Sequence, residues 1–425
     1  MKNYKYDNLD ITVSKHVCKN GLEVYMAPNK HVKSFYVTLN VKYGSDIIKF
    51  KLNDEIINIP PGSAHFLEHK MFEQEDGITP FDFYSKLGID CNASTNNNKT
   101  DYIFSGNEHL KESINFLLDY VESPYFTDEN VEKEKGIIKQ EVLMYEDEPS
   151  QRLYDESLSN AYYKNPVKNP IGGKVKDVMR ITKEDLYNVY NAFYQPNNMF
   201  LVLTGNFNPK EVVKIVDNHE NSKEYKFNKV EIIDEIENKE IKNKYKEIYD
   251  NIFIAKFAIN FKIYTKELKE KVPEYSKYLS FFLETVLGST SKLKEKLTNM
   301  NLITSNFSNE IINAGDFTSI IIMGESTDCD KVIKYILKAF RDYKVNKKDF
   351  ELNKKILKSY YVYMTDNIYS INSFIVAQLI KHNKINEKVY LDVDKMNKEE
   401  YNYVMSQVDL TNYGIVISKP KSDKK

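Results

Sequence analysis

The chemistry in this chain concentrates in five residues, His65-Phe66-Leu67-Glu68-His69. On a helix, His65 and His69 stand one turn apart and project side by side. Two imidazoles at that spacing can share one Zn²⁺. Glu68 falls between them on the same face, placed to act as general base toward a metal-bound water. The order H-x-x-E-H is the inverse of the usual zincin order. A solvated helix with two chance histidines is the plain alternative, but the whole 425-residue chain has only seven histidines. The flanking Phe66, Leu67, Met71 and Phe72 also make this helix apolar and predict burial, and buried imidazoles and carboxylates need partners.

A catalytic zinc takes a third protein ligand and leaves a fourth position open. The segment from Asp128 to Asp147 reads as a helix whose apolar stripe runs through Val131, Ile138 and Tyr145, with Glu134 and Glu141 on the same stripe. Carboxylates on a core stripe require a reason. Glu141 as third ligand and Glu134 as the partner of a ligand histidine supply one. The alternative is that both reach solvent or pair with lysines such as Lys135. His16, His31, His109, His219 and His382 have no metal-ligand spacing and read as ordinary surface or core residues.

The elements that must hold these side chains follow from periodicity and breakers. Strands are expected at Leu22 to Ala27, Ser34 to Lys42, Asp101 to Ser105 and Met199 to Thr204. Pro60-Pro61-Gly62 breaks the pattern, and Ser63 is the expected N-cap of the motif helix, running to about Glu75. Further helices are expected at Asp82 to Leu87, Glu108 to Val121 and Asp128 to Asp147, the last ended by Pro149. A Lys-, Glu- and Asn-rich stretch near 217–246 reads as a surface connection. The expected division is a zinc-binding domain over 1–222, a linker over 223–246 and a second domain over 247–425.

The halves look like copies. His65 to His69 lines up with Phe281-Phe282-Leu283-Glu284-Thr285, and Val131 to Asp147 lines up with Phe350 to Asp366. The offsets, 281 − 65 = 216 and 350 − 131 = 219, agree within three residues. In the second copy Phe281 and Thr285 replace the histidines, Asn353 and Tyr360 replace Glu134 and Glu141, and only Glu284 keeps its acid. One zinc per chain is the expectation.

H-x-x-E-H with a glutamate 141 − 69 = 72 residues later, and another seven before that, resembles the insulinase or pitrilysin family of zinc peptidases. Asn92-Ala93-Ser94-Thr95, followed by Thr100 and Tyr102, resembles its N-A-x-T strand. Phe193 to Met199, the strand end at Gly205, and Leu287-Gly288 with Ser291-Lys292-Leu293 extend the likeness over most of the chain. The subgroup it resembles is the short two-domain one of low-GC Gram-positive bacteria.

The resemblance implies an α+β fold of two homologous domains, each a mostly antiparallel sheet with helices packed on it. It also implies peptide added as a strand near Asn92 and Ala93, so that recognition is mainly through backbone. One departure stands out. Family members carry an Arg and a Tyr early in the second type of domain, where this chain has Thr298 and Thr304. The expected working form is therefore a heterodimer with a paralogue that keeps Arg and Tyr, otherwise a homodimer.

Composition excludes other classes. Sixty basic against 62 acidic residues leave a net charge of −2, without the footprint of a nucleic-acid binder. Cys18, Cys91 and Cys329 lie too far apart for a thiolate zinc site. No signal-like h-region and no apolar run near 18 residues occurs, so a cytoplasmic location is expected. The function read from the sequence is zinc endopeptidase. The alternatives are a non-proteolytic binding or assembly subunit, and a dedicated maturation peptidase for one ribosomally made peptide.

Overall fold

The computed structural model describes residues 1–221, 223 and 225–421, and they form two compact units. The first comprises Met1–Val142, Pro170–Ile233 and Lys358–Asp394, and the second Leu143–Asn169, Asp234–Leu357 and Lys395–Lys425. Compactness thus divides the chain differently from the consecutive domains expected from the repeat. Helix Pro149–Ala161 belongs with the second unit, and helix Ile368–His382 with the first. Their starts lie 368 − 149 = 219 residues apart, the same offset as the repeat.

The first unit is built on a seven-stranded sheet in the order Lys2–Tyr6, Ile11–Val17, Glu23–Pro28, Met199–Gly205, Phe35–Val41, Thr100–Gly106, Asp90–Thr95. All neighbours are antiparallel except Glu23–Pro28 with Met199–Gly205. One face packs on a core that includes Phe66 and Leu67 of the motif helix, Ile114 and Leu117, and Val131 and Ile138. The other face meets helix Ile368–His382. Thr204 Oγ1 donates to the Ile368 carbonyl (2.8 Å), and Asn372 Nδ2 to the Val202 carbonyl (3.1 Å). These bonds satisfy polar groups that a covered sheet would otherwise leave buried. Asp90–Thr95 is the sheet edge, and its residues alternate between exposed and half-buried.

The second unit carries a five-stranded sheet, Tyr245–Asp250, Tyr413–Pro420, Lys256–Tyr264, Phe317–Glu325, Ser308–Ala314. Tyr245–Asp250 and Tyr413–Pro420 run parallel and the rest antiparallel. Both units are α+β with mainly antiparallel sheets.

The expected linker over 223–246 contains regular structure. Val230–Ile232 pairs with Lys49–Leu52 in a three-stranded sheet of the first unit. In the second unit, Glu237 accepts from the backbone N–H groups of Tyr163, Lys164 and Asn165 and pairs with Lys262 at 2.7 Å. Both side chains of that pair are almost fully buried. Neither feature leaves an apolar periodicity to read: strand pairing uses backbone, and a buried ion pair looks like surface composition.

Candidate metal centre

The motif helix is Ser63–Met71, and its apolar side chains Ala64, Phe66, Leu67 and Met71 are buried. Its start differs from the expectation. Gly62, not Ser63, is the N-cap, and it accepts no side-chain cap bond. Gly62 sits at φ 92°, and a Cβ there would lie 2.6 Å from the Gly172 carbonyl oxygen. Gly173, at φ +73°, approaches Pro61 as closely. Only glycine fits both the left-handed backbone and the contact, and the contact seats the backbone at Gly172 beside the His65 ring. Lys70, with no exposed surface, pairs with Glu73 just past the helix end and ties this helix to the long helix Asp128–Asp147 by donating to the Asn130 carbonyl (3.4 Å). Sequence reasoning missed Lys70, Gly172 and Gly173.

The long helix, Asp128–Asp147, has the expected bounds. Val131 and Ile138 are buried as the stripe requires, but Tyr145 is 48% exposed because the buried stripe ends at Val142. Glu134 and Glu141 do face the motif helix. Lys135, the alternative partner, pairs with Glu132 instead.

The His65 and His69 rings lie with centroids 4.6 Å apart. Glu141 reaches both, with Oε1 3.6 Å from His65 Nε2 and Oε2 3.4 Å from His69 Nε2. The donor atoms of the three residues all lie within 4.8 Å of one another. These separations are long for hydrogen bonds. Two donors about 2.0–2.1 Å from one tetrahedral ion stand roughly 3.3 Å apart, so the set fits a shared cation.

The hydrogen bonds fit as well. A carboxylate only accepts, so His69 Nδ1–H donates to Glu134 Oε1 (3.1 Å) and leaves the Nε2 lone pair facing Glu141. Burial, reinforced by the neighbouring His69, pushes the His65 imidazole down to about 4. Its Nδ1 is buried without a hydrogen-bond partner among the described residues. A neutral imidazole is the form that can ligate a metal. Burial also opposes charge on His69, but the Glu134 bond and the Glu141 charge outweigh it and raise its affinity for a proton. That bond in turn holds the Glu134 carboxyl below its usual range, against the effect of burial.

Glu68 lies on the same helix, 9% exposed, and its Oε2 accepts from Thr95 Oγ1 at 2.6 Å. Burial pushes its carboxyl above the usual range, against the Thr95 bond. Asn92 and Ala93 lie three and two residues before Thr95 on the open edge strand. Asn92 is exposed there, its Oδ1 accepting from the Ala93 N–H (2.9 Å). Thr304, in the second unit, is spent on Glu325 (2.8 Å).

Two histidines without metal spacing also acquire acidic neighbours through the fold. His16 meets Cys18 and Asp217, and His219 meets Glu122 and Glu220. His16 Nε2 lies 2.8 Å from Asp217 and His219 Nε2 2.9 Å from Asp119, while Glu122 pairs with Lys223.

With this geometry in view, the comparisons identify the family. Residues 51–174 match Insulinase (Peptidase family M16), and residues 180–357 match the Peptidase M16 inactive domain. The chain is similar to the uncharacterized zinc protease YmfH of Bacillus subtilis, 34% identical over 340 residues, 79% of each chain. It superposes on the crystal structure of a putative M16-like peptidase from Alicyclobacillus acidocaldarius with a TM-score of 0.90 at 26% identity, covering 98% of this chain and all of that one. A Helicobacter pylori protease shares the fold, with a TM-score of 0.79 at 18% identity over 96% of this chain and 99% of that one. The protein belongs to the M16, or insulinase, family of peptidases. Among the described residues no helix is long and apolar enough to cross a membrane.

Proposed function

We propose that this protein is a zinc endopeptidase acting on peptides, with one zinc per chain held by His65, His69 and Glu141. The observation that carries the reading is the placement of Glu141 across both histidine Nε2 atoms, at 3.6 and 3.4 Å, with Glu68 on the same helix. When bound, zinc supplies a Lewis acid that polarises the scissile carbonyl and makes the attacking water more acidic. The rest falls to the chain's own side chains.

Glu68 takes the proton of the attacking water and delivers it to the leaving amine. Its burial favours a proton-holding carboxyl, which suits the second step. Glu134 fixes the His69 tautomer and ring. The open edge of strand Asp90–Thr95 can receive an extended peptide near Asn92 and Ala93, which would take over the Ala93 N–H now held by Asn92 Oδ1, and such pairing favours peptides without stable structure of their own.

The substrate clamp is incomplete in the chain itself. Thr298 and Thr304 stand where family members carry Arg and Tyr, and a threonine hydroxyl does not replace a charged, planar fork. The working form is therefore a heterodimer with a paralogue that supplies Arg and Tyr, rather than a homodimer. The deciding experiment is hydrolysis of unstructured peptides by the zinc-loaded chain, alone and with such a paralogue, beside Glu68→Gln. Glu68-dependent hydrolysis supports the reading. Turnover that survives Glu68→Gln overturns it.

A further inference from the structure

The geometry points to Thr95 as a positioning residue for Glu68, one that ties the orientation of the general base to the strand that receives substrate. The inference rests on the peptidase reading above and adds a residue to it. Thr95 is the last residue of the edge strand Asp90–Thr95 and pairs in register with Thr100. The Thr100 hydroxyl donates to the Tyr43 carbonyl (3.0 Å), so its proton is committed elsewhere. It meets Thr95 Oγ1 at 3.4 Å only as an acceptor or bystander. The single proton of Thr95 therefore goes to Glu68 Oε2, at 2.6 Å.

This bond fixes one oxygen of the carboxylate. With Oε2 held by Thr95, Oε1 is the oxygen left to exchange the proton. A carboxylate on an unpinned side chain would have to be ordered at every turnover. Because the pin sits on the edge strand itself, a displacement of the strand displaces the base.

The second unit argues that the bond serves chemistry and not the fold. The corresponding hairpin there is Ser308–Ala314 with Phe317–Glu325. Asn313 opposes Thr318 as Thr95 opposes Thr100, with the same four residues between. Asn313 accepts from Tyr275 OH (2.7 Å), and neither it nor Thr318 bonds the acid Glu284. Instead the Glu284 side chain lies against Gly288, where an added Cβ would be 2.2 Å from its Oε1. The hairpin and the glutamate persist, and the bond between them occurs only beside the histidines.

The test compares Thr95→Val, which keeps the shape and loses the hydroxyl, with Thr95→Ser, which keeps the hydroxyl. Thr95→Val should retain one zinc and an unchanged KM while kcat falls about 10- to 100-fold, the scale of a lost hydrogen bond to a charged group. Thr95→Ser should restore kcat. In the Glu68→Gln background, Thr95→Val should cost nothing further. A second readout needs no turnover: with ¹³C-labelled glutamate carboxyls, the infrared carboxylate bands of the zinc-free protein should shift in Thr95→Val and not when Glu68 is already Gln.

An unchanged kcat, a change confined to KM, a cost that persists in the Glu68→Gln background, or loss of zinc or fold in Thr95→Val would each overturn the inference. So would an unshifted carboxylate band. If the wild-type protein hydrolyses no peptide, the peptidase reading fails, and the infrared comparison still decides whether Thr95 holds Glu68.

Discussion

The two units present the same pair of helices with opposite chemistry. In the first, Glu134 of the long helix reaches across to His69 of the motif helix (3.1 Å). In the second, Asn353 of helix Lys347–Met364 reaches Thr285 of helix Tyr275–Leu287 (2.8 Å) and the Phe281 carbonyl (3.1 Å). The contact joins matching positions, but a neutral amide and hydroxyl replace a carboxylate and an imidazole. Phe281 is buried where His65 would stand, and Tyr360, matching Glu141 but on the part of helix Lys347–Met364 that groups with the first unit, is 60% exposed. A neutral bond and a phenyl ring thus suffice to pack this helix pair. Buried charges are costly unless fully paired. Packing alone therefore does not account for the charged version in the first unit, whereas the proposed cation between Glu141 and the two imidazoles would.

Breaking the site should produce the largest effect. His69→Ala is predicted to leave no zinc after dialysis, measured by metal analysis, and to lose hydrolysis with it. Glu68→Gln is predicted to keep a full equivalent of zinc and lose about 10²-fold or more in kcat, the scale of a lost general base. Supplying a paralogue with Arg and Tyr should raise turnover of the chain by about 10²-fold, since misplacing a reacting group by about 1 Å costs that much. Changing the paralogue's Arg should remove the gain.

Smaller effects sharpen the contrast between units. Glu134→Gln should weaken zinc about 10- to 100-fold in a competition titration. Its counterpart Asn353→Ala should leave zinc affinity untouched and cost only about 1–3 kcal/mol of stability in denaturant unfolding, through the hydroxyl and carbonyl it leaves unpaired. A further effect concerns pH. Three backbone donors and Lys262 overcome the effect of burial and hold the Glu237 carboxyl at about 2, below its usual 4.5. A depressed carboxylate stabilises above its unfolded value and loses that contribution as pH falls through the folded one. The stability gap between wild type and Glu237→Gln should hold from pH 7 to about 5 and shrink progressively toward pH 3.

What the sequence made legible was local. H-x-x-E-H and the seven-residue spacing of Glu134 and Glu141 are helix-face properties, and the structure places all of them on facing helices. The repeat was legible because its offset recurs. The Thr95–Glu68 bond was not, because it joins the motif helix to the end of the edge strand across 27 residues, and no local pattern marks that packing. The Gly62–Gly173 approach joins segments over a hundred residues apart, and no periodicity marks it. The regrouping of helices Pro149–Ala161 and Ile368–His382 also escaped detection. Their amphipathic pattern says that one face is buried and is silent about which sheet buries it. Ser63 was a reasonable cap by residue type, but the tight backbone contact with Gly172 required Gly62 in that place.

The central claim is that the charged helix pair of the first unit exists to hold one metal. Anomalous diffraction at the zinc edge from crystals of the zinc-loaded protein tests it most directly. The account predicts a single peak per chain, bounded by His65 Nε2, His69 Nε2 and Glu141, with none beside Thr285 and Asn353. A peak seated instead on Glu122, His219 and Glu220, or no peak at the histidine pair despite bound zinc, would contradict it.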